Sequence, residues 1–139
     1  MIKYILPLIF FITPAMADSW FEMREFRSRL CYDGDTCYII AKTFPESLQK
    51  MSIRILGIDT PEIKGECIEE KELALKGREL ANELFKAAKT IRLENLKWDK
   101  YGGRVLADVY LDEELYSKKL IDAGLARFYD GGTKESWCE

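Results

Sequence analysis

One long helical repeat set among short strands limits the folds open to this chain. From about Glu69 to Ala88, the residues Leu73, Gly77, Leu80, Ala81, Leu84 and Ala88 recur at helical spacing on one face. Glu and Lys cover the opposite face. Before this segment come the strand-like stretches Phe26 to Tyr32 and Thr36 to Lys42, on either side of an Asp33-Gly34 turn signal. Thr43 to Lys50, with Pro45, is a polar loop, and Met51 to Ile58 is an alternating strand with Arg54 on its polar face. After the helix, Thr90 to Leu96 and Val105 to Leu111 flank a turn at Asp99 to Arg104. A short helix from Leu115 or Ser117 to Ala123 stops at Gly124, and Leu125 to Tyr129 offers a last short strand before an irregular tail. Strand-rich halves joined by one long helix predict an α+β, mainly β fold. We expect a five-stranded Greek-key barrel of the OB type with two or three helices, not a doubly wound sheet.

The N-terminus reads as a processing signal rather than part of that fold. Lys3 supplies a positive start, Tyr4 to Ile12 an apolar run, and Ala15-Met16-Ala17 a small-residue cleavage pattern. A bilayer span needs roughly 20 consecutive apolar residues, and Pro7 and Pro14 interrupt a shorter run here. A buried N-terminal helix or an uncleaved anchor are the alternatives. Residues 1–17 are therefore predicted as a signal peptide and 18–139 as a single domain, periplasmic or secreted, without a stable membrane anchor.

Export makes the four cysteines, Cys31, Cys37, Cys67 and Cys138, candidates for disulfides. Three pairings are possible, and sequence alone does not choose among them. One hint is geometric. Cys31 and Cys37 lie symmetrically about Gly34, so a three-residue loop of Asp33, Gly34 and Asp35 would set them opposite each other. The remaining pair, Cys67 with Cys138, would tie the start of the long helix to the tail.

The chain contains no histidine. Imidazole bases, Ser-His-Asp triads and histidine zinc sites are thereby excluded, leaving proton transfer to carboxylates, lysines, tyrosines or metal-held water. A net charge of −3 argues against a protein that coats nucleic acid through phosphate neutralisation, although a few arginines in a cleft suffice for a focused phosphate site.

Three short motifs carry chemistry. Asp33-Gly34-Asp35-Thr36 suits a hairpin turn, yet it has a second acid, Asp35, that could face a cleft. Asp59-Thr60-Pro61-Glu62 suits a turn or helix cap, yet with Asp35 it offers an all-oxygen shell for a hard divalent cation, calcium or magnesium. Asp99-Lys100-Tyr101-Gly102-Gly103-Arg104 suits a solvated hairpin, yet Arg104 with Arg54 would form a bidentate phosphate clamp.

Taken in order, with Arg54 five residues before Asp59 and with Gly124-Leu125-Ala126 after the second helix, these motifs resemble the staphylococcal nuclease (thermonuclease) family. The resemblance runs from about Arg27 to Tyr129 and implies an OB-fold barrel with Ca2+-dependent cleavage of DNA and RNA, leaving 3′-phosphates. It implies Asp35 and Asp59 as calcium carboxylates, with the Thr60 carbonyl beside them. Glu62 is implied as the residue that orients or deprotonates the attacking water, and Arg54 and Arg104 as the arginines on the scissile phosphate. Lys100 and Tyr101 would hold the neighbouring phosphate.

Three departures from the family pattern stand out. An extra glycine precedes Arg104; Tyr129, the candidate for nucleotide stacking, lies one residue off; and a tail ending in Trp137-Cys138-Glu139 stands where the family has a helix. The rival reading is a catalytically inactive OB-fold module that binds nucleic acid or a protein. Such barrels rely on basic grooves and aromatic platforms, which this acidic chain supplies sparsely. A monomer is the default expectation.

Overall fold

The sheet grows from strands whose alternate side chains turn inward. The computed structural model describes residues 19–139; the predicted signal peptide, residues 1–17, lies outside them. A short strand β1 (Phe21–Met23) pairs antiparallel with β2 (Thr36–Ala41), setting Phe21 opposite Ala41. β2 pairs antiparallel with β3 (Lys50–Ile55), setting Thr36 opposite Arg54. Cys37, Ile39 and Ala41 therefore face Met51, Ile53 and Ile55 in the core. Each fully buried aliphatic side chain of this kind contributes roughly 1.5–3 kcal/mol.

After β3 the chain turns at Leu56 and Gly57, with Gly57 at φ 78°, and leaves the sheet as β4 (Ile58–Asp59). The helix α1 (Ile68–Ala87) then carries it to β5 (Ile91–Trp98) and β6 (Arg104–Leu111), an antiparallel pair. β6 lies parallel to β3, with Arg54 opposite Leu106. β7 (Glu114–Leu115) pairs with β6, α2 (Tyr116–Asp122) follows, and β8 (Arg127–Phe128) pairs back onto β4. The main order is β1-β2-β3-β6-β5, a curled mixed sheet that forms an OB-fold-like half-barrel, and β4-β8 makes a small second sheet. The fold is thus mainly β with two α-helices, plus one 3-10 turn at Glu46–Leu48.

Several sequence expectations are corrected. Phe26 to Tyr32 is not a continuous strand. Arg27 and Ser28 adopt left-handed φ values of 51° and 63° in a tight turn that bridges Phe26 to Arg29. The true first strand, Phe21–Met23, is too short to show an alternation. The expected Met51 to Ile58 strand breaks at Gly57, and that break lets Asp59 leave the sheet edge. On α1 the deepest stripe is Ala74, Gly77, Ala81 and Phe85, while Leu80, Leu84 and Ala88 flank it half-buried. Small residues prevail there because the helix comes close to a glycine turn: a Cβ on Gly77 would lie 3.9 Å from the Gly34 backbone.

α1 also fixes the arm that leads into that turn. Asn82 Oδ1 accepts from the backbone N–H groups of Leu30 (2.7 Å) and Cys31 (3.1 Å), and its Nδ2 donates to the Cys31 carbonyl. Both disulfides form, Cys31–Cys37 and Cys67–Cys138. Cys31 sits opposite Cys37, and the Tyr32 N–H donates to the Thr36 carbonyl, so the intervening loop is Asp33, Gly34 and Asp35 as the symmetry suggested. Among the described residues no helix is long and apolar enough to cross a membrane.

Candidate active site

The Asp33-Gly34-Asp35 turn enters the core because its backbone is held from below. Tyr116, fully buried on α2, donates its hydroxyl to the Gly34 carbonyl at 2.5 Å. A Cβ on Gly34 would lie 3.0 Å from side-chain atoms of both Leu120 and Thr60, so any larger residue would require both neighbours to give way. Asp33 and Asp35 are consequently buried. Asp33 Oδ1 accepts the Asp35 N–H at 3.1 Å, and burial together with the Asp35 charge pushes the Asp33 carboxyl up to about 7. Asp35 pairs with the Arg54 guanidinium, which comes from the opposite position on β3, and accepts from the Thr36 hydroxyl at 3.1 Å.

The second motif leaves the end of β4. Asp59 and Thr60 are buried, and Thr60 packs on Gly34, so the two acidic motifs meet at one end of the sheet. Each Asp59 oxygen holds a donor from the C-terminal tail: Oδ1 takes the Lys134 ammonium at 2.8 Å, and Oδ2 takes the Trp137 indole N–H at 3.0 Å. Lys134 also lies 3.8 Å from the Glu62 carboxylate. Burial opposes the Lys134 charge, but the hydrogen bond and charge of Asp59, reinforced by Glu62, outweigh it and raise the pKa. The Cys67–Cys138 disulfide anchors this tail beside the site. Between tail and loop lies a cavity of about 410 Å³ lined by Asp59, Thr60, Glu62, Glu70, Lys134 and Trp137.

The third motif stands apart. Arg104 and Arg54 point to the same outer face of the sheet. Arg104 pairs with Ser52 on β3, two residues before Arg54, which sets the two arginines roughly 7 Å apart along the strands. Arg104 forms an ion pair with Asp99 and lies over the Tyr101 ring, as does Lys100. Partial burial would raise the Asp99 carboxyl, yet the Arg104 hydrogen bond and charge, aided by the Lys100 and Tyr101 N–H groups, lower it. The extra glycine is absorbed locally: Gly103 takes φ 75°, and the Asp99 N–H closes the loop onto the Arg104 carbonyl. Tyr129 donates its hydroxyl to the Gly132 carbonyl, and the Lys134 ammonium lies 5.5 Å from its ring centre.

The structure therefore gathers Asp35, Arg54, Asp59, Thr60 and Glu62, places Tyr129 beside them, and keeps Lys100, Tyr101 and Arg104 in a separate hairpin cluster. Sequence reading missed Lys134 and Trp137 because the tail has no periodicity; the Trp137-Cys138 pair was the one available signal. Glu70 was hidden among the acids of the helix face, and Asp33 was read only as a turn residue.

The donor set fits a hard divalent cation. It is entirely oxygen, its two carboxylates are buried, and both already attract cationic side chains. The Thr60 hydroxyl, also buried, has no hydrogen-bond partner among the described residues.

A half-barrel with buried carboxylates and an arginine converging at one end is a scaffold suited to phosphate-ester chemistry. The family model described as staphylococcal nuclease homologue matches residues 52–136, more than half of the chain, and the chain belongs to that nuclease family. The match takes in Arg54, Asp59 to Glu62, Arg104 and Lys134, while Asp35 precedes it. No curated protein matches the chain.

Proposed function

We propose that this protein is an exported, calcium-dependent nuclease that hydrolyses phosphodiester bonds in both DNA and RNA, leaving 3′-phosphates. The observation that carries this reading is the convergence of buried Asp35 and Asp59 beside Arg54 and Glu62. Buried charges cost stability unless well paired, and a cluster bringing four acids (Asp33, Asp35, Asp59 and Glu62) to two cations is a poor structural staple. It is a good place to balance a divalent cation and a phosphate.

Asp35, Asp59 and the Thr60 carbonyl would hold the ion. Calcium bound there would supply Lewis acidity to the phosphate and the water. Glu62, exposed at the mouth of the cavity, orients the attacking water and accepts its proton. Arg54 and Arg104 donate to the equatorial phosphate oxygens as negative charge builds in the pentacoordinate transition state. Lys100 and Tyr101 hold the adjacent phosphate, and Tyr129 lies against the nucleotide. Residues 1–17 act as a signal peptide, the domain spans 18–139 and works as a monomer, and the two disulfides suit an oxidising compartment.

The test is incubation of the folded, oxidised protein with plasmid DNA and with RNA, first in calcium and then in excess chelator. Both substrates are expected to be degraded in calcium, the chelator to stop the reaction, and the fragments to carry 3′-phosphates. Failure to degrade either substrate in calcium would overturn the reading.

A further inference from the structure

We infer that Glu70 is a positioning residue for Glu62: its buried carboxylate clasps both ends of the loop that carries the proposed base. This rests on the role proposed for Glu62. An acid in the third position of a helix ordinarily folds back on the capping residue's own N–H. Glu70 occupies that position in α1, whose cap is Cys67, but its carboxylate reaches further back. Oε1 accepts the Glu62 N–H at 3.2 Å, and Oε2 accepts the Glu66 N–H at 2.8 Å. The Gly65 N–H meanwhile donates to the Glu62 carbonyl at 2.9 Å, so the segment from Glu62 to Glu66 is a closed turn strapped across its base.

The neighbours are shaped for this clasp. A Cβ on Gly65 would lie 2.4 Å from the Glu70 carboxyl carbon, so any side chain there would push the carboxylate and the loop apart. The helix's own cap is left to the Cys67 sulfur, a weak acceptor 3.4 Å from the Glu70 N–H. The other half of that disulfide, Cys138, packs its sulfur 3.8 Å from Oε2 and shuts the far side. The Glu62 side chain itself is largely exposed and, among the described residues, meets only Lys134 within ion-pair range, so the orientation of its carboxylate depends on where its backbone is fixed.

Glu70→Gln and Gly65→Ala test the assignment. Gln offers an N–H₂ where one loop N–H needs an acceptor, and Ala parts the loop from the carboxylate, whichever of the two gives way. Steady-state cleavage of a defined single-stranded oligonucleotide is measured with calcium affinity by calorimetry and with thermal melting. Because a displacement of about 1 Å costs on the order of 100-fold in rate, each variant is expected to lower kcat by about that factor. KM and calcium affinity are expected to stay within about twofold, since Asp35, Asp59 and the arginines are untouched. On a Glu62→Gln background neither substitution should lower kcat further, a coupling that a purely structural role would not produce. If Glu62→Gln is inactive while Glu70→Gln and Gly65→Ala keep wild-type kcat, the inference falls and the role of Glu62 stands. Additive losses on the Glu62→Gln background overturn it equally. A fully active Glu62→Gln removes both.

Discussion

The site has two arms built in opposite ways. The carboxylate arm, Asp33 to Thr60 with Arg54, is buried and braced by Tyr116, Asn82, α1 and both disulfides. The hairpin arm, Asp99 to Arg104, projects from β5 and β6, and its Gly102 and Gly103 face open space. One arm fixes charges where water is scarce; the other carries its arginine on an open turn, held by Asp99, from which the proposed phosphate contact would have to draw it. Preorganisation belongs where charge must be placed, and adaptability where a polymer must enter and leave.

The largest contrast is between the two arginines. Arg54→Ala removes the proposed transition-state donor and strands Asp35 in the interior. It should lower the cleavage rate by about 10³-fold or more and, as the loss of one member of a buried pair, destabilise the fold by roughly 3–5 kcal/mol. Arg104→Ala should cost about 10²–10³-fold in rate and destabilise the fold less than Arg54→Ala, because the Asp99 carboxylate keeps the Lys100 and Tyr101 N–H groups as partners. Urea unfolding and kinetics on both variants check this, and equal destabilisation by the two would erase the distinction between the arms.

Next comes the tether. Replacing Cys67 and Cys138 together by Ser opens a closure of 71 residues and should cost about 4 kcal/mol in the loop-entropy model. Replacing Cys31 and Cys37, only 6 residues apart, should cost about 2.5 kcal/mol. Denaturant midpoints in non-reducing buffer compare them.

Between about pH 4 and 7 the pH effect belongs to the buried arm, since the lowered Asp99 carboxyl of the hairpin acts only at more acidic pH. The folded-state pKa of Asp33 is raised from 3.8 to about 7, so the folded protein keeps a proton that the unfolded chain has released. Its contribution to stability is full below about pH 4 and is lost as pH rises toward 7. In chelator, wild-type stability should fall across that window, and Asp33→Asn, which still accepts the Asp35 N–H, should flatten the fall. An unchanged slope would refute the burial argument. The smallest effect lies in the hairpin: Gly103→Ala, forced to φ 75°, should cost about 1–2 kcal/mol.

How much of this was legible follows from the same contrast. The β2–β3 pair, α1 and the β5–β6 pair announced themselves by periodicity, and the two acidic motifs by residue type. The Cys31–Cys37 link was legible because a hairpin is local. What stayed hidden depends on distant parts of the chain. Lys134 and Trp137 reach Asp59 from a tail held by Arg127 and by the disulfide at Cys138, 71 residues from its partner. Glu70 looks like any solvated helix acid until the loop above it is seen to need acceptors. The helix stripe was only partly legible: Gly77 and Ala81 lie on it as expected, but Ala74 and Phe85 were missed, and Leu73, Leu80 and Leu84 flank it half-buried because the helix packs too close for bulk along its centre.

Calcium titration by calorimetry on the wild-type protein, Asp59→Asn and Arg104→Ala tests the central claim most directly. The account predicts one saturable calcium site in the wild type, its loss in Asp59→Asn, and its retention in Arg104→Ala. Calcium binding that survives Asp59→Asn, or that disappears with Arg104→Ala, would contradict the assignment of the metal centre to the buried arm.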